Sequence, residues 1–265
     1  MESVRRGYVD VGWGQVHYRT SGERGPVALF FHESPLSSMA YEQALPYLGR
    51  RLRAYAFDTP GYGSSDPPPH DRFEIPDYSA MLLQAADALG LDTFAVSGVH
   101  TGASLALEVA LQAEPGRATH AILSGVPLMT EEDRRRYLAS WAPSMRPTTQ
   151  GEHLEWAWQR YQRIWGADSD PGVLHVGAIH VLSVLDRYQW AYNAAFRYDP
   201  EAGLRRLACP TLLLDAEFDI FADQDEPAAA LIPDARISII RGLPGQLPIR
   251  VPEEYAARII RFVAG

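Results

Sequence analysis

The residue best placed to do chemistry is His100. It stands in Gly98-Val99-His100-Thr101-Gly102, after the apolar run Phe94-Ala95-Val96 and before a helical pattern with Ala103, Leu107 and Leu111 on one side. That order reads as strand, very tight turn and helix. Glycines two residues before and two after the histidine permit such a turn, because a Cβ at either position would crowd the neighbouring backbone. The imidazole is thereby pushed to the tip of the turn, at the mouth of the sheet. The helix starting at Thr101 points its positive end at the ring and disfavours imidazolium, so a neutral His100 is expected at pH 7. A neutral imidazole serves as nucleophile or general base.

The elements that must position this residue alternate along the chain. Tyr8–Val11 and Gln15–Thr20 read as a hairpin across Gly12-Trp13-Gly14. Val27–Phe31 is a short continuous apolar run, as in a strand buried on both faces, and it ends in His32-Glu33-Ser34-Pro35. A helix is expected over 38–48, a strand over Arg53–Phe57, and a helix capped by Asp77 that runs to 89. The strand 93–98 and the helix to 112 bracket His100, and Ala121–Leu123 is a further buried strand. Pro210–Asp215 and Ala235–Ile240 return to strand, with a helix near 225–232 between them and a closing helix over Pro252–Val263. Strands alternating with helices imply an α/β architecture: a mostly parallel twisted sheet with helices on both faces. Loops after the strand ends then collect the functional groups.

The stretch 128–206 breaks this alternation. It has no buried-strand run, and it holds five of the six tryptophans, Trp141, Trp156, Trp158, Trp165 and Trp190. It is expected to be a helical cap insertion into a core domain made of 1–127 and 207–265. Some of its aromatic residues then line a pocket, because an insert above the sheet roofs the site. Trp141, Trp165 and Tyr188 are candidates for that lining, with His32 and Glu33 below them.

Several motifs together resemble the α/β-hydrolase family. Gly98-x-His100-x-Gly102 resembles its nucleophile elbow, G-x-S-x-G, with histidine in the serine seat. Asp58-x-Pro60-Gly61-x-Gly63-x-Ser65 is similar to the family's D-x-P-G-x-G-x-S, and His32-x-x-Pro35 to its H-G-x-P loop, with Glu33 in place of the glycine. Pro210-Thr211-Leu212 through Asp219 is similar to the segment carrying the family's acid. Gly242-Leu243-Pro244-Gly245-Gln246 is similar to the one carrying its catalytic histidine, here Gln246. The resemblance implies the α/β-hydrolase fold and an oxyanion hole made by the backbone N–H groups of Ser34 and Thr101. It implies catalytic places for His100, Asp219 and Gln246, although no histidine follows His180 and a Ser–His–Asp relay in the family order is absent. Without that relay histidine, direct contact between Asp219 and His100 is not expected. Ser34, Ser104 and Ser124 remain as replacement nucleophiles. Glu33 reads either as a solvent-facing loop residue or as a charged gate, and His32 and Asp58 as loop-stabilising residues.

Composition excludes other classes. The 265 residues carry a net charge of −9, against a nucleic-acid or acidic-membrane footprint. Arg134-Arg135-Arg136 follows Glu131-Glu132-Asp133 and reads as a solvated helix face. The single cysteine, Cys209, rules out an internal disulfide. No metal-ligand spacing is present, Gly61-Tyr62-Gly63 lacks a third glycine, and there is no G-K-[ST], so no metal or cofactor is implied. The start shows no signal-peptide core and no stretch approaches the ~18 apolar residues of a spanning helix, so a cytoplasmic protein is expected. The expected function is a cofactor-free enzyme, hydrolase or lyase, acting on a small organic acyl or carbonyl compound. Decarboxylation and cyclisation stay open, and the alternative is a catalytically inactive small-molecule binding protein on the same frame. The substrate and the oligomeric state, including a homodimer, are left open.

Overall fold

The computed structural model describes residues 2–265. The hairpin β1 (Arg5–Val11) and β2 (Gly14–Ser21) leads into β3 (Val27–Phe31), β4 (Arg53–Phe57), β5 (Phe94–Val99), β6 (Ala118–Ser124), β7 (Thr211–Ala216) and β8 (Ala235–Ile240). They form one sheet in the order β1-β2-β4-β3-β5-β6-β7-β8. β1–β2 and β2–β4 are antiparallel, and every other pair is parallel. The chain moves outward in one direction from β3 to β4 and in the other through β5 to β8. The loops after β3 and β5 therefore part from one another, and the crevice between them is where an open α/β sheet binds ligands.

The central strands need their apolar runs. Leu29, Phe30, Phe31, Val96, Ile122, Leu123, Leu213 and Leu214 are fully buried, each contributing about 1.5–3 kcal/mol on leaving water. The framing helices are α1 (Leu45–Leu48), α2 (Ile75–Ala88), α3 (Thr101–Gln112), α9 (Asp225–Leu231), α10 (Leu247–Arg250) and α11 (Pro252–Val263). Between β6 and β7 run α4 (Glu131–Ser140), α5 (Glu152–Trp165), α6 (Pro171–Ser183), α7 (Gln189–Arg197) and α8 (Glu201–Arg206). α2 packs on α3, α1 on α11 and α5 on α6.

Two expectations for helices change in detail. The helix expected over 38–48 is a 3-10 turn at Ser38–Tyr41 followed by α1. Ser37 accepts from the Met39 N–H at 3.2 Å and starts the first turn. Pro46 lacks the N–H needed to continue that turn, but is tolerated in the first turn of a new helix. The α2 cap is Glu74, not Asp77, which instead reaches back to accept the Glu74 N–H at 2.9 Å. The turn between β5 and α3 is as tight as its glycines require. A Cβ on Gly98 would lie 1.9 Å from the Gly102 carbonyl oxygen, and one on Gly102 would lie 2.0 Å from that of Phe31. His100 between them has φ 49° and ψ −110°, a strained conformation for a side-chain-bearing residue.

Candidate active site

Three loops after parallel strands converge on the His100 ring: the loop after β3 brings Glu33, the turn after β5 brings His100, and the loop after β7 brings Asp219. His100 Nδ1 lies 3.0 Å from Glu33 Oε2. His100 Nε2 lies 3.0 and 2.9 Å from the two Asp219 carboxylate oxygens. Asp219 Oδ1 is held in turn by the Phe221 N–H at 3.0 Å. The Phe221 ring meets His100 edge-on at 5.4 Å. Gly125, at the end of β6, leaves room for the imidazole, since a Cβ there would lie 2.3 Å from His100 Cδ2.

This geometry fixes the protonation of the ring. A carboxylate only accepts, so both ring nitrogens must donate, and the ring is imidazolium. Burial opposes that charge, but Asp219 and then Glu33 outweigh it and hold His100 well above its ordinary value of 6.5. The neutral ring expected from the helix end is thus overturned. The helix terminus offers roughly half a unit charge, whereas two full charges lie within direct hydrogen-bond distance. Burial works against the Asp219 carboxylate too, yet His100 holds it below the ordinary carboxylate range. Asp219 reaches His100 without an intermediary because an imidazole extends much further from the backbone than a serine hydroxyl. With both nitrogens engaged, His100 has no free lone pair with which to attack a substrate.

Gln246 sits in the left-handed region at φ 50°, just before α10. It lines the same cavity, is buried, and among the described residues its Oε1 has no hydrogen-bond partner. It makes no bond to His100. Ser34 and Thr101 also line the cavity. Among the described residues, neither of their backbone N–H groups donates to a protein acceptor. His32 is turned to loop support: its Nε2 accepts the Thr59 N–H at 2.9 Å and its Nδ1–H donates to the Glu33 carbonyl at 2.9 Å. Burial depresses its imidazole to about 4. Asp58 braces the neighbouring loop through the N–H groups of Ser38 and Ser64 and through His17. Among the described residues the buried Ser104 hydroxyl has no partner, Ser124 donates to the Leu214 carbonyl, and neither lines the cavity.

A cavity of about 50 Å³ lies above His100 and opens toward solvent. Trp141 and Trp165 line it, whereas Tyr188 and His32 do not. The Tyr188 ring packs on Trp156, and its hydroxyl donates to the Pro143 carbonyl. Tyr161, Tyr192, Phe196 and Phe221, with Tyr137 beside them, complete the aromatic wall. Helical periodicity within α5 and α7 carried a signal for the first three. Nothing in the local sequence marked Phe221, which enters through the Asp219 loop.

Comparison with known proteins agrees with this architecture. The model of a family described as alpha/beta hydrolase fold matches residues 28–155. A haloalkane dehalogenase from Mycobacterium tuberculosis is 30% identical over 105 residues, 40% of this chain and 36% of that protein. The match thus spans little more than a third of that relative's length. Among solved structures, a hydrolase from Pseudomonas aeruginosa superposes with a TM-score of 0.83 at 19% identity, covering 98% of each chain. The enol-lactonase from Burkholderia xenovorans superposes with a TM-score of 0.80 at 19% identity, covering 98% of this chain and all of the other.

Proposed function

This chain has the α/β-hydrolase fold, and from that premise we propose an enzyme acting on a small acyl or carbonyl compound with an aromatic or apolar body. The observation that carries the reading is the unbroken Glu33–His100–Asp219 chain beneath an aromatic-lined cavity. His100 serves not as the nucleophile but as a fixed cation between two carboxylates. Glu33, whose Oε2 is tied to His100, keeps Oε1 for proton transfer at the cavity floor. The Ser34 and Thr101 N–H groups receive the oxygen that becomes negative in the transition state.

In a hydrolytic cycle Glu33 takes one proton from water as the water oxygen bonds to the carbonyl carbon. The C–O bond to the leaving group then breaks, and Glu33 returns the proton to the departing oxygen. In a non-hydrolytic cycle Glu33 takes a proton from carbon beside the carbonyl, and the enolate oxygen rests on the same N–H pair. In both, the imidazolium stabilises the negative charge around the reacting centre without being consumed. The reading needs no cofactor.

The test is turnover of a panel of aromatic esters, enol lactones and ketones by wild type, Glu33→Gln and His100→Ala, with unfolding curves to verify that each variant is folded. Loss of about 100-fold or more in kcat is expected in both, the scale of positioned acid–base catalysis. Full turnover by folded His100→Ala would overturn the reading. One observation favours a second reading, a small-molecule binding protein on this frame: the ring nitrogens of His100 are both saturated. Its signature is tight binding of aromatic carbonyl compounds with no turnover in wild type.

A further inference from the structure

Arg160, on α5, is a buried cation without a counter-ion. It is 6% exposed, and among the described residues no carboxylate lies within 4.0 Å of it. Nη1 donates to the Trp141 carbonyl at 2.9 Å. Nε and Nη2 are buried with no partner. These two atoms form the side edge of the guanidinium, whose parallel N–H groups match the two oxygens of a carboxylate. A buried charged group left this way is costly, and native sites rarely leave one unpaired.

The surroundings stabilise the positive charge, and the acceptor they bring near it is the neutral Tyr192 hydroxyl rather than a carboxylate. The guanidinium carbon lies 5.7 Å from the ring centroids of Trp141, Trp156 and Tyr188 and 5.8 Å from that of Tyr192. The indole N–H of Trp141, a donor only, is also buried without a partner. Donors therefore gather here in excess, and the chemistry they lack is an anion. Arg160 lines an outer groove that shares Tyr137, Trp141 and Ile164 with the cavity over His100. At the far end of that cavity, Glu33, His100 and Asp219 sum to one negative charge, which disfavours an anionic group there.

We propose that Arg160 and the Trp141 indole form a carboxylate subsite, so that the substrate is an aromatic or apolar carbonyl compound bearing an anionic group at the end remote from its reacting carbonyl. This deepens the enzymatic reading and takes its substrate orientation from it. The anion pairs with the Nε–Nη2 edge of Arg160, the body fills the aromatic wall, and the carbonyl lies over Glu33 and the Ser34 and Thr101 amides. The cation in the outer groove and the net negative charge at the cavity floor set the orientation of the substrate.

Binding is measured by calorimetry on the whole chain with 4-phenylbutyrate and its neutral analogue 4-phenylbutyramide. Wild type is expected to bind the acid at least about tenfold more tightly than the amide, a difference of about 1.4 kcal/mol. Arg160→Met should erase the preference, and Arg160→Lys should lose most of it, because an ammonium cannot present the paired edge. A Nε resonance of Arg160 in wild type that moves with the acid and not with the amide gives the same answer without a variant, should Arg160→Met fail to fold. Equal affinity of wild type for acid and amide, or an unmoved Nε resonance under saturating acid, would overturn the subsite. None of these readouts needs turnover. An acid preference in a His100→Ala variant that has lost catalysis separates this subsite from the proton relay, and failure of the relay leaves the binding test standing.

Discussion

A methyl group at position 125 would press on the His100 imidazole itself. Its Cβ would lie 2.3 Å from His100 Cδ2 and 2.7 Å from Nε2, on a backbone with φ +58° that strains any L side chain. Gly125→Ala should therefore displace the imidazole from Asp219. The expected outcome is loss of most turnover with a stability decrease of about 1–3 kcal/mol, read from kcat beside urea unfolding. The protonation argument gives a second test. Nitrogen NMR of His100 should show imidazolium through pH 7 in wild type, since Asp219 and Glu33 outweigh burial. Asp219→Asn should move its titration to lower pH, and an unshifted midpoint in that variant would refute the electrostatic account. His100 was legible from its turn chemistry and Asp219 from the family resemblance of its segment, although their direct contact was not expected. The Glu33–His100 contact was not legible either. It joins residues 67 apart, and only the adjacency of β3 and β5 in the sheet brings their loops together.

The helices between β6 and β7 are tied to the core by a few buried polar contacts. Tyr62, in the loop after β4, accepts the Ala191 N–H at 2.8 Å and donates to the Tyr188 carbonyl at 3.2 Å. Ala191 lies in the first turn of α7, where N–H groups have no intrahelical partner. Nearby, Arg187 Nε donates to the Gly61 carbonyl at 2.7 Å, and Ser37 pairs with His180 on α6 at 2.7 Å. Tyr62→Phe keeps the ring and strands a buried N–H. It should cost about 1–3 kcal/mol in urea unfolding, with amide exchange accelerated first in α7. Unchanged exchange there would mean the hydroxyl is not the tie. Strand positions were readable at this scale because a strand buried on both faces must be a continuous apolar run. The aromatic segment was readable only as helical. Which of its rings face the cavity depends on how α5, α6 and α7 pack, and Tyr188 turned away because its hydroxyl found the Pro143 carbonyl.

Over the whole molecule, the charges around the site set a pH window for stability. Burial, then Asp219, raises Asp215 to about 8, and burial, then Asp219, raises Asp225 to about 7. An unfolded aspartate releases its proton near 3.8. Between about pH 4 and 8 the unfolded chain therefore binds fewer protons than the folded one, and stability falls as pH rises. His100 acts with the same sign: its contribution is fully present below 6.5 and is lost as pH rises through its elevated folded value. Asp58 acts oppositely. Burial raises it, but the hydrogen bond from His17 and the other partners prevail and hold it near 2, so its contribution is present above 3.8 and lost on acidification toward 2. His32, lowered to about 4 chiefly by burial, likewise favours folding less as pH drops from 6.5 toward 4. The melting temperature should accordingly peak in the mildly acidic range and decline through pH 7 to 8. Asp225 supplies a specific check, because among the described residues its buried Oδ2 has no hydrogen-bond partner. Asp225→Asn should melt higher than wild type at pH 8 and differ little at pH 5, flattening the alkaline decline. A variant whose melting curve keeps the wild-type slope between those two pH values would show that the decline arises elsewhere, with Asp215 and His100 as the remaining contributors.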